Sequence, residues 1–559
     1  MSERMRVALL LAVAMLVYGN TLLNGFVFDD IPYILHNPGV THHSVSRLLQ
    51  PTKTSNLFRP VTFATYALNF AVEGAHPFGY HLLNLLLHAV VTLLLYWVLR
   101  KLLEGVQQGA TAAWVAALLF AVHPIHTEAV ASIVGRAELL AAGFLLAAWL
   151  LHLHDRPVLA LVCFALALLS KESAVAFVPL ALAGDYACRK LKPLHRYGWI
   201  TGVGVVYVVL LWIIQGYRFG AGALNYFLEN PLAWLPANLR ILNALHIAWK
   251  YVGLHVYPAT LSCDYSYNAI RLYGGGWHLT IAVVAALLVL AVWLWTLWTK
   301  RGEWFLAGTI YLSGFAVTAN LLVATGTIMG ERLAYLPSAG FCLLAALLWM
   351  RLEKHQRILA WALLAIVVAA LATRTVVRNR DWRDNLSLFS AGVRAVPGSA
   401  KIHYCLGGEY LDRGQVDAAR AEFQTALRIY PDYPGAMELS GIIESRLGHD
   451  QEARSLFDKA LSMTGADNVD YEFRAVNLAA QLMKLGEKDE ALKLLDEAIA
   501  VDPGYSRAWS NRAAVRYQRG EKTSAREDAQ NALRLDPDNS QARDLLNLLS
   551  APAPSAPQR

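Results

Sequence analysis

Along the first 375 positions, apolar residues run in long blocks divided by short polar loops; after position 400 they recur every three or four residues. A block of about 20 apolar residues matches the thickness of a bilayer core crossed by an α-helix. Such blocks lie at 6–24, 81–99, 110–127, 134–152, 197–215, 279–298, 304–323, 335–350 and 357–373. The stretch 157–187 is also apolar but is interrupted by "SKES" at 170–173, too long for one crossing and short for two. The later 3.6-residue period predicts amphipathic helices. The pattern therefore predicts an all-α chain: a polytopic membrane domain at 1–375, a linker at 376–399, a soluble helical domain at 400–550 and a disordered tail, "APAPSAPQR", at 551–559.

Charge orients the spans, because basic loops favour the cytoplasmic side. The basic clusters are Arg100–Lys101, Arg156, "CRKLKPLHR" at 188–196, "TKR" at 299–301 and "RLEKHQR" at 351–357. All face the cytoplasm if 157–187 crosses twice, with Lys171 and Glu172 at its outer turn, and if 235–257 begins and ends outside. This gives about eleven crossings, a cytoplasmic N-terminus and an extracytoplasmic C-terminal domain. The first apolar block, preceded by Arg4 and Arg6, lacks a small-residue cleavage site and reads as an uncleaved first span. In this topology "FDD" at 28–30, "LFRP" at 57–60, "HPIHTEA" at 123–129, "GRAE" at 135–138, "SKES", "LSCDYSYN" at 261–268 and "TGTIMGERLAY" at 325–335 all fall on the outer face. Ionisable groups beside lipid are costly, so their gathering at one face points to a cavity or site.

The soluble part repeats. Gly414 and Gly448, Gly486 and Gly520, and Pro503 and Pro537 each lie 34 positions apart. Residues 400–433 carry Leu406, Gly407, Tyr410, Ala419, Phe423, Ala426 and Pro431, the small-and-large pattern of a tetratricopeptide repeat. Three further copies at 434–467, 472–505 and 506–539, with a capping helix at 540–550, predict an α-solenoid that presents a concave face to peptides or proteins.

Composition sharpens these readings. The 559 residues are 56% hydrophobic and only 16% charged, which excludes an ordinary soluble protein. The net charge of +7 resides largely in the span-flanking clusters, so it does not indicate nucleic acid. Five scattered cysteines, with no CxxC pair, argue against a disulfide framework.

The adjacent acids Asp29 and Asp30 admit two readings: a solvated pair ending a helix, or a general base with a neighbour that raises its pKa. His123, His126 and Glu128 have the spacing of a metal site, but equally that of hydrogen-bonded structural histidines. Arg136 and Glu138, Lys171 and Glu172, and Glu331 and Arg332 each read as ion pairs. Arg59, Arg136, Lys171 and Arg332 also suit a phosphate, which needs several donors and positive charge.

The runs "GFVFDDIPYILHNPGV", "FRPVTFATYALNF", "GYHLLNLLLHAVVTLLLY", "LLFAVHPIHTEAVASIVGRAELLA", "LLSKESAV" and "GERLAYLPSAG" occur in an order that resembles the transmembrane and tetratricopeptide-repeat-containing O-mannosyltransferases, over essentially the whole chain. The short repeat array is similar to a compact bacterial member, which implies an inner-membrane location with periplasmic repeats. The resemblance implies a GT-C glycosyltransferase fold that takes a sugar, mannose, from a polyprenyl-phosphate carrier and transfers it to Ser or Thr hydroxyls of proteins. It further implies Asp29 as base with Asp30 in support. Arg332, Arg136, Lys171 and Arg59 would face the donor phosphate. His123, His126, Glu128, Glu138, Glu172, Asp264, Tyr265 and Glu331 would form the sugar and acceptor pocket. No metal or other cofactor is expected, since these cations can neutralise the leaving phosphate; the repeats would hold the acceptor. Two alternatives are a transferase acting on a lipid or polysaccharide, and a non-catalytic scaffold recruiting envelope proteins. A transporter would carry its charges through mid-membrane rather than at one face.

Overall fold

The computed structural model describes residues 1–50, 57–215, 227–299, 302–321, 324–464 and 471–550, and every regular element among them is helical. Two units emerge, Met1–Ser399 and Ala400–Arg559. Within the first, prolines open the helices Pro60–Glu73, Pro77–Leu102, Pro157–Ser170 and Pro337–His355. Proline is tolerated there because the first-turn N–H has no intrahelical partner to lose.

The core of this unit lies around Pro77–Leu102, Gly109–Val122 and Arg136–Leu153, most of whose apolar side chains are buried, although Phe78, Leu86, Val90 and Trp97 of the first remain exposed. By contrast, Leu194–Ile214 and Trp277–Trp298 leave most of their apolar surface uncovered, as helices facing lipid do. Among the described residues, six helices are long and apolar enough to cross a membrane, or seven if the bent pair Gly109–Val122 and Pro124–Ala131 counts as one span. The sequence pattern predicts about eleven crossings. The crossings that fall short include Gly302–Ala316, of 15 residues, and Pro337–His355, whose last turns carry Arg351, Glu353 and Lys354; the 157–187 stretch forms Pro157–Ser170 and Phe177–Ala187, of 14 and 11 residues, each shorter than a bilayer core. Between these two helices the chain turns extended at Lys171 and enters the 3-10 segment Glu172–Ala176, so that Lys171 and Glu172 both line one cavity.

Residues 376–399, expected as a linker, are mostly helical. The last long helix, Arg357–Asn379, passes through a 3-10 turn at Arg380–Trp382 into Asn385–Ala395, which Asp384 caps by accepting the Ser387 N–H.

The second unit is a series of antiparallel helix pairs, beginning with Ala400–Asp412 and Val416–Ile429 and closing with Ser540–Ser550. Gly414, Gly448, Gly486 and Gly520 make the turns within the pairs at φ between 73° and 85°, a region that penalises a Cβ. The repeated small residues have the packing role their pattern predicts. Ala419, Ala453, Ala491 and Ala525 are fully buried, and a Cβ on Gly407 would stand 2.6 Å from the Phe423 ring.

Candidate functional site

The sequence pattern draws polar residues from distant loops to one face, and in the structure many of them converge on one cavity. It has a volume of about 290 Å³ and is lined by Asp29, Tyr33, Arg59, Thr62, Phe63, Tyr66, Glu138, Lys171, Glu172, Thr318, Thr325, Thr327 and Arg332, among others. Each charged side chain is held by a partner. Arg59 makes a two-pronged contact with Glu172, at 2.7 and 3.1 Å. Lys171 is paired with Glu138, and both are buried. Arg332 sits 2.6 Å from Glu128 and 3.7 Å from Asp29.

The Arg332 arrangement is asymmetric. Glu128 is almost wholly buried behind it and also accepts the Arg332 backbone N–H, at 2.8 Å. Asp29, 27% exposed, faces the cavity, and the 3.7 Å approach to Arg332 is its side chain's one polar contact among the described residues. Burial works against the Arg332 charge, but Glu128 and Asp29 outweigh it and hold the guanidinium above its ordinary pKa. Burial likewise opposes the Glu172 charge, yet Arg59 and Lys171 bring its carboxyl down to about 2. The cavity is thus a ring of fixed cations and carboxylates, with one loosely paired carboxylate at its wall.

The adjacent acids divide sharply. Asp30 is fully buried and points away from the cavity. It accepts the Val27 N–H at 3.1 Å, the Val134 N–H at 2.9 Å and the Ser132 hydroxyl at 3.4 Å. Burial pushes its pKa up to about 7, against these hydrogen bonds; the charge of Asp29 adds only a small further push. Its support of Asp29 is therefore structural: it pins the loop carrying Asp29 to the 132–134 turn.

Other expected site residues lie elsewhere. Arg136, read as a phosphate ligand, is fully buried and does not reach the cavity. Its guanidinium donates to Asn84, Thr65, Asn69 and the Tyr80 carbonyl, and it stacks 4.9 Å from the centre of the Tyr66 ring. It props up Tyr66, which does line the cavity. His123 and His126 are buried among rings and do not line this cavity. His123 lies 3.0 Å from the His255 carbonyl, and His126 lies 2.6 Å from the Ser338 hydroxyl. Glu128 acts from behind Arg332.

Glu331, Tyr265 and Asp264 form a separate network next to the site. Glu331 accepts the Tyr265 hydroxyl at 2.7 Å and the Ser262 N–H at 2.6 Å, and burial raises its pKa to about 8. Asp264 accepts from the Ser266 and Ser399 hydroxyls, at 2.5 and 3.0 Å. Neither acid lines the cavity. Sequence reasoning passed over Thr62, Phe63 and Tyr66, although their spacing after Arg59 puts them on one helical face. Among the described residues, a cluster with metal-ligand spacing occurs only in the repeats, at Glu444, His449 and Glu452.

Comparison with known proteins bears on both units. A tetratricopeptide-repeat family model matches residues 374–434, 406–468 and 476–540. Protein O-mannosyl-transferase F38B6.6 of Caenorhabditis elegans is 31% identical over 440 residues, covering 76% of this chain and 63% of the worm protein. Protein O-mannosyl-transferase TMTC3 of Mus musculus is 27% identical, covering 95% of this chain and 64% of the mouse protein. The chain thus spans just under two thirds of the length of these curated relatives. Among solved structures, the crystal structure of YrrB, described as a TPR protein with an unusual peptide-binding site, is 17% identical. It covers 36% of this chain and 97% of its own, with a TM-score of 0.25. The chain is thus a homologue, over most of its length, of proteins named protein O-mannosyl-transferases, and its C-terminal part consists of tetratricopeptide repeats.

Proposed function

We propose that this chain is a membrane glycosyltransferase that moves mannose from a polyprenyl-phosphate donor to Ser or Thr hydroxyls of proteins on the extracytoplasmic side. The observation that carries the reading is the cavity wall. A part-exposed carboxylate, Asp29, stands beside a part-exposed Arg332, with Arg59 and Lys171 lining the same space. The relatives' names supply the sugar and the protein acceptor. The acceptor hydroxyl oxygen attacks the anomeric carbon. The bond from that carbon to the phosphate oxygen breaks, the hydroxyl proton passes to Asp29, and polyprenyl phosphate leaves.

Fixed cations serve such a step because they need not reorganise as charge develops on the leaving phosphate. Arg332, Lys171 and Arg59 take that role, so the reading requires no metal. Glu128, Glu138 and Glu172 hold the three cations in place. The repeats bind the acceptor polypeptide, as their architecture suits.

The test is transfer by the purified full-length protein from radiolabelled polyprenyl-phosphate mannose to proteins of a membrane and envelope extract. The expected result is label on protein, released by alkaline β-elimination as O-linked sugar. Label confined to lipid or polysaccharide, or no transfer by demonstrably folded protein, would contradict the reading.

A further inference from the structure

The loop that carries Asp29 is held from the far end of the membrane unit. Asn24 donates its side-chain amide to the Asn379 carbonyl at 3.2 Å, and the Gly25 N–H donates to the Arg383 carbonyl at 2.9 Å. The Phe28 N–H donates to the Asn385 side-chain oxygen at 2.8 Å, and the Phe28 ring meets Phe389 edge-to-face at 5.6 Å. Phe28 itself adopts φ 51°, in the left-handed region a phenylalanine enters only when its surroundings compel it. Asp29 follows it directly, so the Phe28 backbone sets where the carboxylate emerges. The other end of the same strap is also fastened. The Ser399 hydroxyl donates to Asp264 at 3.0 Å, and the Asn268 N–H donates to the Gly398 carbonyl at 3.0 Å. Asp264 belongs to the loop whose Ser262 N–H and Tyr265 hydroxyl hold Glu331, the residue preceding Arg332. One segment, 379–399, is therefore bonded both to the loop bearing the proposed base and to the loop that holds the neighbour of its cationic partner.

We propose that this strap sets the register of Asp29 against Arg332, and that Asn385 is its principal positioning residue. The idea rests on the proposed reaction only for its kinetic consequence; its structural half stands alone. Asn385 reaches neither the cavity nor the reacting atoms, and acts by fixing the Phe28 N–H. A displaced base lowers the rate of the chemical step more than substrate affinity.

The experiment compares the full chain with Asn385→Ala and Asn385→Asp, by hydrogen–deuterium exchange and by steady-state mannose transfer. Asn385→Ala should speed amide exchange within 24–30 by about tenfold or more, with the thermal midpoint and exchange in Pro77–Leu102 unchanged. In transfer it should lower kcat by about tenfold to a hundredfold, with donor KM within about twofold. Asn385→Asp keeps an acceptor oxygen and should restore protection of 24–30 and most of the rate. Unchanged exchange in 24–30 in the alanine variant overturns the proposal, and so does a loss that the aspartate variant fails to rescue. If the wild type transfers no mannose, the proposed function falls, and the exchange result still decides whether the strap holds the loop.

Discussion

Replacing Asp30 tests the division of labour between the adjacent acids. Asp30→Ala removes the acceptor for two backbone N–H groups, that of Val27, fully buried, and that of Val134, partly so, and for the Ser132 hydroxyl. An orphaned buried donor costs about 1–3 kcal/mol, and with Val134 at the lower end the expected destabilisation is about 2–4 kcal/mol. Asp30→Asn keeps one oxygen but turns an amide N–H toward a donor, so about half that loss is expected. The pH dependence has a definite sign. The Asp30 pKa rises from 3.8 in the unfolded chain to about 7 in the fold. Its protonated form is thus favoured by folding, and its contribution is complete below pH 3.8 and fades as pH rises through 7. The assay is a thermal melt in detergent across pH 5 to 8, for wild type and both variants. The wild type should lose more stability than Asp30→Asn between those limits. A melt of Asp30→Ala that coincides with wild type at every pH would refute the reasoning.

Arg136→Met should lower stability by about 2–4 kcal/mol, because the buried acceptors on Asn84 and Tyr80 and the partly buried one on Asn69 lose their donor, yet leave donor KM unchanged; a selective rise in KM would support Arg136 as a phosphate ligand. The Arg59–Glu172 pair should couple. Glu172, held at about 2, stabilises fully above its unfolded value of 4.5 and loses that contribution as pH falls toward 2. A double-mutant cycle with Arg59→Met and Glu172→Gln should therefore show interaction at pH 7 that shrinks in acid, and additivity at both pH values would contradict the pairing. In the repeats, Gly407→Ala meets the Phe423 ring and should cost about 1–3 kcal/mol by overpacking. Gly486→Ala meets open space but needs φ 82°, at about 1 kcal/mol. Exchange protection of the helices flanking each glycine would register both.

Much of the site is legible in the chain because of where charge is tolerable. A carboxylate or guanidinium beside an apolar block is expensive unless it faces a cavity, so Asp29, Arg59, Glu138, Lys171, Glu172 and Arg332 could be grouped before any contact was known. The repeats are equally plain, because a small residue recurring at a fixed period has few other uses than close helix packing. Side-chain direction is what sequence conceals. Asp29 and Asp30 are neighbours of one type, yet the turn at Phe28 sends one into the cavity and the other into the protein. Arg136 looks like a phosphate ligand until three polar side chains and two tyrosine rings are seen around it. Asn385, in a stretch expected as a linker, offers no local signal, since its partner Phe28 is 357 positions away.

The most direct test of the central claim is the rate of mannose transfer by Asp29→Asn relative to wild type, with the two melts matched. The variant keeps the size of the side chain and removes the base, so transfer should fall by about 10²-fold or more with donor KM little changed. A variant that transfers at the wild-type rate would contradict the assignment of Asp29 as the group that accepts the proton.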